Sequence, residues 1–395
     1  MITENLKNKN NALSSYTLSE LVALSKIIGD DSLQEASETD SVDSFPEKTL
    51  SKLLSAQLLK ASVSKKFGGQ DLGLICGTNL ALLKILKNIG RGNPVMGRVL
   101  EGHINALLLI DQFGNEKQKK MFARDALGGR LFGVWNTQAE NGTFLSVKKN
   151  GKYSLSGAKT FATGTDFVSR PIVTAAMPDG SWQMCVVPLE KVISVSDASW
   201  WNPMGMKASR SFKISFVKAV VSKKNILGAG GDYYRQPAFG GGAIRFAAVQ
   251  LGAAEKLSDE TKKYLKDLNR TDDPYQKRRL GEMAIAVESG NQWIHAAALQ
   301  MDLFMKNPGN SESESLVIYA NMMRTATEHI CSLVISLCQK CVGARGLNKP
   351  YHFERMIRDL STYLRQPAPD AVLAEVGAYI LKNNISAGDL WNHKS

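Results

Sequence analysis

The sequence predicts a mainly helical fold with a central antiparallel β domain, set between an N-terminal helical domain and a C-terminal four-helix bundle. Apolar residues recur at helical spacing over residues 18–122, and short alternating segments bounded by turn residues occupy about 129–228. The helical period returns after Gly231 and continues nearly to the C-terminus. These changes of period predict three domains, at residues 1–128, 129–231 and 232–395.

Turn residues within the β domain predict two β-hairpins. Asn150-Gly151 lies between two short alternating segments, and a Pro-Asp-Gly turn at 178–180 separates 172–177 from 182–187. Such residues favour tight turns because they accept the positive or fixed φ angles that these turns need. The bundle is predicted from four long helical segments, at about 237–268, 274–306, 311–341 and 351–383.

The composition favours a globular protein and argues against several other classes. The chain has 395 residues, 44% hydrophobic residues and a formal net charge of +12. The positive charges are scattered and are not interleaved with aromatic residues, so we expect no nucleic-acid groove. No segment has the ~18–20 apolar residues of a membrane span, and the N-terminus lacks an apolar signal core. Five cysteines without framework spacing indicate a reducing compartment, and we expect a cytoplasmic protein.

The sequence gives little support for a metal site or for a hydrolase. Cys338-x-x-Cys341 has no second cysteine or histidine pair at ligand spacing, so we expect buried small hydrophobic residues and no metal. No nucleophile elbow is present, although a triad can still assemble from distant residues. His103 lies among apolar helix positions, where a hydrogen-bonded histidine of the core or of a cleft is expected.

Two segments of the β domain together predict a surface for a planar ring. Residues 132–138 and 157–164 alternate aromatic and hydroxyl side chains, which gives a flat apolar surface with hydrogen-bond donors beside it. An isoalloxazine ring needs stacking, here from Phe161, and donors, here from Thr137 and Thr163. An ordinary pair of strands with alternating faces explains the same residues equally well.

The stretch 343–379 predicts a ligand-binding corner. Gly343 and Gly346 lack Cβ atoms, so the backbone there permits close approach of another group. Pro367 and Pro369 then end one helix and impose an extended turn before the next. A chain that interrupts two long helices in this way is expected to place a ligand at the corner.

Taken together, several motifs resemble those of the acyl-CoA dehydrogenase family over nearly the whole chain. Residues 157–164, GAKTFATG, are similar to the family motif G-x-K-x-W-I-T-N, and 202–211 are similar to its G-M-R-x-T-x-S strand. The glycines of 343–346, followed by Arg358-Asp359, resemble its G-G-x-G and R-D signatures. The resemblance implies the three-part fold predicted above, with an FAD bound between the β domain and the bundle and a neighbouring subunit contributing.

The resemblance also implies roles for individual residues. The implied cofactor-binding residues are Thr137, Phe161 and Thr163 at the flavin ring, Gly343 and Gly346 at the phosphate-containing tail, and Arg270 at the pyrophosphate. Arg245 matches the family arginine at the start of the first bundle helix and is expected to contact substrate. The aromatic-glycine pair that follows the family's pyrophosphate arginine is replaced here by Thr-Asp-Asp-Pro at 271–274.

The usual catalytic residues are absent from their usual positions. The glutamate that removes the α-proton in acyl-CoA dehydrogenases is matched by Pro367, and its alternative position is matched by Ile244. Flavin monooxygenases similar to dibenzothiophene monooxygenase also resemble the chain, through Asp-Pro-Tyr at 273–275 and the last helices. Their histidine near the flavin is matched by Gln366, which can donate a hydrogen bond but cannot act as a base.

The remaining catalytic candidates are Gln366, Asp370 and His103. Asp370 also fits an N-terminal cap of a helix beginning at Ala371, and Glu354 fits a structural ion pair.

Three functions stay open at this point. The leading hypothesis is an FAD-dependent oxidoreductase that acts on the CH–CH bond of an acyl thioester or related substrate. The first alternative is a monooxygenase that uses oxygen and reduced flavin, FMN or FAD, supplied by a partner reductase. The second is a non-catalytic protein that keeps the fold and lacks the base. For the enzymes we expect a homodimer or homotetramer, with an electron-transfer or reductase partner.

Overall fold

The computed structural model describes residues 16–148, 152–386 and 388–391, in which helices, strands and helices follow one another in the predicted order. The N-terminal helices are α1 Leu18–Glu38, α2 Glu47–Ser55, α3 Asn79–Gly92, α4 Pro94–Phe113 and α5 Glu116–Leu127. The strands are β1 Leu131–Trp135, β2 Phe144–Val147, β3 Tyr153–Ala162, β4 Val168–Ala176, β5 Trp182–Val186, β6 Ser194–Asp197, β7 Phe212–Val221 and β8 Ile226–Leu227. The C-terminal helices are α6 Ala243–Asp267, α7 Pro274–Lys306, α8 Asn310–Gly346, α9 Phe353–Tyr363 and α10 Pro369–Lys382.

The strands form one mixed sheet, which corrects the prediction of an antiparallel β domain. Its order is β6-β7-β3-β2-β4-β5-β8, and β1 pairs with β4. The β1–β4 and β2–β4 pairs are parallel, while the other pairs are antiparallel. Alternation of apolar and polar residues reports which face of a sheet a side chain occupies, and it carries no information about strand direction. The alternation of residues therefore could not predict which strand pairs are parallel.

Both predicted hairpin pairs are present in the sheet. Strands β2 and β3 pair antiparallel, with Leu145 opposite Leu155, and β4 and β5 pair antiparallel, with Ala176 opposite Trp182. The second pairing confirms the hairpin predicted around the Pro-Asp-Gly turn. The Asn150-Gly151 turn lies outside the described residues.

The fourth predicted bundle segment, 351–383, is interrupted where its two prolines predicted a turn. It forms two helices, α9 and α10, separated by the turn that contains Pro367. The break follows from proline chemistry, because Pro367 lacks an amide hydrogen and restricts the residue before it. The preceding helix, α8, continues to Gly346 and is kinked at Gly343. Its Cys331, Cys338 and Cys341 are buried free thiols, which confirms the prediction of buried small hydrophobic residues.

Close helix packing joins the N-terminal helices to the bundle. A Cβ atom on Gly90 of α3 would lie 2.3 Å from the carbonyl oxygen of Val249 in α6. A Cβ atom on Gly252 would lie 2.0 Å from the carbonyl oxygen of Lys87. The two helices therefore approach backbone to backbone, which places α4 beside the start of α6. No described helix is long and apolar enough to cross a membrane.

Candidate active site

Phe161 presents a half-exposed aromatic ring at the end of β3. Its side chain is 50% exposed and its φ is 53°, which turns the ring out of the regular strand. The rings of Trp200 and Trp201 support it edge-on, with centroids 4.9 and 5.9 Å away. A large apolar ring that is held by its neighbours and still open to solvent on one side can stack against a planar ligand.

Thr137 and Thr163 belong to backbone segments that adjoin Phe161. The Thr160 amide donates to the Thr137 carbonyl (3.0 Å), so the end of the 136–138 segment runs next to Phe161. The Thr163 hydroxyl lies 2.9 Å from the Ser211 hydroxyl, and its carbonyl accepts the indole N–H of Trp135 (3.0 Å). The three residues predicted to meet a flavin ring are called here the β3 platform: Thr137, Phe161 and Thr163.

A buried lysine holds the strand segment that carries Thr137. The Lys159 Nζ donates to the Asn136 carbonyl (2.8 Å) and to the Thr174 hydroxyl (2.9 Å). The Thr174 hydroxyl in turn donates to Asn136 Oδ1 (2.7 Å). Burial lowers the pKa of Lys159 to about 7. This network holds the backbone next to Thr137 in place and so stabilises that part of the β3 platform.

The Arg358-Asp359 pair joins the β domain to α9. The amide of Gly205 donates to the Thr362 hydroxyl (2.9 Å), and the amide of Met206 donates to Asp359 Oδ1 (2.6 Å). A Cβ atom on Gly205 would lie 2.1 Å from the Arg358 carbonyl oxygen, so only glycine fits there without a shift. The pair therefore has a structural role, which positions the β3 platform relative to the bundle.

Two carboxylates lie near the corner after α9 in the sequence, Glu354 and Asp370. Glu354 forms an ion pair with Arg358, which confirms the structural interpretation of that glutamate. Asp370 is exposed in the first turn of α10, which begins at Pro369. The predicted capping role of Asp370 is wrong, because the cap position is Ala368 and no side chain caps this helix. The amide of Gln366 donates to the Tyr363 carbonyl (2.7 Å).

His103 uses both ring nitrogens within the protein. It is fully buried, its Nε2–H donates to the Leu59 carbonyl (2.6 Å), and its Nδ1 accepts the Phe132 amide (3.0 Å). Burial lowers the pKa of His103 to about 4, so the ring is neutral at physiological pH. With neither nitrogen free, His103 is a structural residue, and we withdraw it as a catalytic candidate.

The pKa of His103 predicts a loss of stability in mild acid. Unfolding returns the pKa from about 4 to about 6.5, so the unfolded chain binds more protons between these values. We expect the free energy of unfolding to fall by about 3 kcal/mol from this residue as the pH decreases through that window. Urea titrations at several pH values will measure it. His103→Gln should flatten the dependence, while His295→Gln, at an exposed histidine, should not; equal slopes for wild type and His103→Gln would contradict the assignment.

Helix α4 carries a polar cluster that sequence reasoning missed. Arg98, Glu101 and Asn105 share one face of the helix, at positions i, i+3 and i+7. Glu101 is 1% exposed, and its two carboxylate oxygens accept hydrogen bonds from Arg98 and from the Asn105 amide. Burial alone would lower the pKa of Arg98, but the charge of Glu101 raises it overall. The sequence did contain a signal for this cluster: the helical spacing of these polar residues on an otherwise apolar helix.

Residues from three other segments complete this cluster. The Nε–H of Arg245, at the start of α6, donates to Asn105 Oδ1 (2.5 Å). The hydroxyl of Tyr363 is buried and has no hydrogen-bond partner among the described residues. Burial, together with the negative charge of Glu101, raises the pKa of Tyr363, and burial likewise raises that of Tyr233. We call this set the α4 cluster: Arg98, Glu101, Asn105, Tyr233, Arg245 and Tyr363.

The α4 cluster borders a cavity of about 320 Å³, called here the α4 cavity. Asn105, Tyr233 and Arg245 contribute to its wall. The apolar part of the lining includes Leu108, Leu109, Val134, Phe239, Met301 and Phe304. A mostly apolar cavity with a few convergent polar groups is the usual form of a small-molecule site. Arg245, predicted to contact substrate, therefore lies on the wall of a cavity suited to one.

The remaining predicted cofactor residues lie at the far end of the bundle. Gly343 has φ 58° and ψ −171°, a conformation that favours glycine, and a Cβ atom there would meet nothing within 4 Å. Gly346 is buried, and Arg270 is exposed in the turn between α6 and α7. The Tyr264 hydroxyl donates to the Val342 carbonyl (3.3 Å), which ties the end of α8 to α6. Within the described chain, no hydrogen bond, ion pair or ring contact links this group directly to the β3 platform.

Comparison with known proteins defines the class of protein. Residues 24–130 match the family model described as "Acyl-CoA dehydrogenase, N-terminal domain", and residues 244–365 match "Acyl-CoA dehydrogenase, C-terminal domain". Together the two matches span more than half of the chain. The chain belongs to the acyl-CoA dehydrogenase-like superfamily, as its motifs indicated.

Individual relatives come from two branches of this superfamily. The chain is 25% identical to the short-chain-specific acyl-CoA dehydrogenase of Clostridium acetobutylicum, over 82% of this chain and 86% of that protein. It is 22% identical to the dibenzothiophene monooxygenase of Mycolicibacterium goodii, over 76% and 80%. The crystal structure of TdsC from Paenibacillus sp. A11-2, a complex with FMN and indole, superposes with a TM-score of 0.82 at 18% identity, covering 94% of this chain and 100% of TdsC. Dehydrogenases and monooxygenases are thus similar to it to a comparable degree.

Proposed function

We propose that this protein is a flavin-dependent monooxygenase that uses reduced flavin and molecular oxygen. The observation that carries the proposal is the corner after α9, where Gln366 and Pro367 stand in place of the usual catalytic residues. Glu354 is paired there with Arg358, and Asp370 is exposed to solvent at the start of α10. Acyl-thioester dehydrogenation needs a base within hydrogen-bond reach of the α-proton. Oxygen insertion does not need that base, so this corner fits the monooxygenase branch better.

The described residues fit a bound flavin. The β3 platform offers a half-exposed ring in Phe161, with the Thr137 and Thr163 groups next to it. At the other end of the bundle, Gly343 is open and its backbone is accessible for a phosphate-containing tail. When bound, a reduced flavin would supply two electrons to oxygen. One oxygen atom would enter the substrate, and the other would leave as water.

The distribution of the cofactor residues favours a homo-oligomer. The platform and the Gly343–Arg270 group lie in different parts of the chain, and no described contact joins them directly. A neighbouring copy can bring its Gly343 end to the platform of the first chain, and the family resemblance implies such sharing. We therefore propose a homodimer or homotetramer, with FMN or FAD delivered in reduced form by a partner reductase.

Acyl-thioester dehydrogenation is the second candidate, and one observation favours it. Glu101 is a buried carboxylate in the α4 cluster, next to the α4 cavity. Arg98 and Asn105 both hydrogen-bond to its oxygens. Both oxygens of Glu101 are occupied by these hydrogen bonds, which leaves neither of them free to take a proton from a substrate in this arrangement.

Two experiments on the flavin-loaded protein, both begun without oxygen, separate these functions. In the first, butyryl-CoA is added and the visible absorption of oxidised flavin is followed. In the second, the bound flavin is reduced with dithionite and then mixed with oxygenated buffer. We expect butyryl-CoA to leave the absorption unchanged and oxygen to restore it rapidly, because the usual base positions hold Pro367 and Ile244 and the proposed reaction consumes oxygen.

The contrary outcomes are equally specific. Bleaching of the flavin by butyryl-CoA without oxygen would contradict the monooxygenase proposal, as would a reduced flavin that stays reduced in oxygenated buffer. Glu101→Gln supplies the matched control for the first case. If that variant abolishes bleaching while it retains flavin, Glu101 is the base and the protein is a dehydrogenase.

A further inference from the structure

The α4 cavity has a cationic group in an otherwise mostly apolar wall. Leu108, Met301 and Phe304 form part of its apolar lining, and Arg245 lies on the same wall. Arg245 is only partly exposed, and its Nε–H donates a hydrogen bond to Asn105 Oδ1. The two Nη groups of Arg245 have no hydrogen-bond partner among the described residues. A guanidinium with two free donors at a mostly apolar cavity is a binding group for an anion.

No carboxylate of the described residues neutralises Arg245 directly. Among the described residues it forms no ion pair, whereas Arg98 pairs with Glu101. Glu101 is close enough to influence Arg245 electrostatically, yet Asn105 lies between them in the hydrogen-bond network. Burial lowers the pKa of Arg245 and the charge of Glu101 opposes that shift. A buried cation without a partner is costly, and a bound anion removes that cost.

The charges around the cavity leave one positive charge in surplus. Within the α4 cluster, Arg98 and Arg245 face a single carboxylate, Glu101. The acidic residue on the cavity wall is Asp111, which lies 3.7 Å from the ammonium of Lys119. Asp111 and Lys119 together carry no net charge, so the surplus positive charge belongs to the α4 cluster. The cavity is thus complementary to a monoanion.

We propose that the α4 cavity binds a small apolar molecule that carries a carboxylate, with the carboxylate held by the Nη groups of Arg245. The apolar body lies against Leu108, Met301 and Phe304. The cavity volume of about 320 Å³ limits the ligand to a small molecule, at the low end of the usual range for ligand pockets. This inference rests on the proposed function only in taking the cavity as the substrate site, and it makes an apolar carboxylic acid the substrate class.

A pair of matched probes tests the anion site. 3-Phenylpropanoate and 3-phenylpropanamide have nearly the same size and differ in charge. Their dissociation constants are measured by calorimetry on flavin-free and flavin-loaded protein, with wild type, Arg245→Met and Arg278→Met. We expect wild type to bind the carboxylate at least about tenfold more tightly than the amide, since charged hydrogen bonds contribute more than neutral ones. Arg245→Met should remove the preference, while Arg278→Met, at a 79% exposed side chain, should keep it.

The other outcomes would overturn the proposal. Equal affinity for both probes in wild type, no binding of either, or a preference that survives in Arg245→Met each contradicts it. Acetate binding as tightly as 3-phenylpropanoate would also contradict it, because the apolar body would then play no part. If Arg245→Met does not fold, the wild-type comparison still decides. These measurements use neither oxygen nor thioester, so the anion site can fail while oxygen chemistry stands, or the reverse.

Discussion

Replacing Glu101 with glutamine is expected to lower the free energy of unfolding by about 3 kcal/mol, because it removes the one negative charge between two guanidinium groups. The Glu101 side chain is 2% exposed, and that of Arg98 is 32% exposed. The expected loss of unfolding free energy therefore lies at the lower end of the range found when one partner of a buried ion pair is removed. Glutamine also presents an NH₂ group where Arg98 and Asn105 both need an acceptor.

Urea unfolding of matched variants will measure this loss. Arg278 and Glu282 form the control pair, since their side chains are 79% and 38% exposed. Glu282→Gln is expected to change the free energy of unfolding by less than about 0.5 kcal/mol. Combining Glu101→Gln with Arg98→Met should recover part of the loss, because the unpaired guanidinium is gone. A Glu101→Gln variant as stable as Glu282→Gln would show that the α4 cluster is not electrostatically coupled as described.

Phe161→Ala is expected to weaken flavin binding by about tenfold or more. The change removes the ring that would stack on the flavin, and such contacts contribute about 0.5–1.5 kcal/mol beyond the area they bury. The fold should tolerate the change, since the side chain is 50% exposed and packs only at its edge against Trp200 and Trp201. Quenching of flavin fluorescence during titration with FMN and FAD measures the affinity.

Phe144 is a matched control for this variant. It is also 50% exposed and belongs to the same sheet, on β2 away from the platform. Phe144→Ala should therefore bind flavin as wild type does. If Phe161→Ala and Phe144→Ala bind flavin equally well, the β3 platform is not the flavin site.

Periodicity predicted the order of helices and strands because it reflects burial, and burial determines which residues face the core. It failed where structure depends on something other than burial. The parallel placement of β1 and β2 beside β4 depends on how the chain crosses the sheet. The division of 351–383 into α9 and α10 was predicted from Pro367 and Pro369 and not from periodicity, which is helical on both sides of the turn.

The two halves of the candidate site differed in how far sequence could predict them. Thr137, Phe161 and Thr163 lie on short neighbouring segments, so motif and alternation predicted them as one surface. The α4 cluster draws Tyr233, Arg245 and Tyr363 from positions far apart in the chain, and no local pattern joins them. On α4 itself, the sequence pattern singled out His103, whose ring nitrogens bond to Leu59 and Phe132, while Glu101 and Asn105 contact the arginines.

The central claim, that this chain is a flavoprotein built around the β3 platform, is tested most directly by titrating the purified wild-type protein with FMN and FAD. We predict saturable quenching at one flavin per chain with at least one of the two cofactors. Protein that binds neither flavin at saturation would contradict the account and would favour the non-catalytic interpretation of the fold.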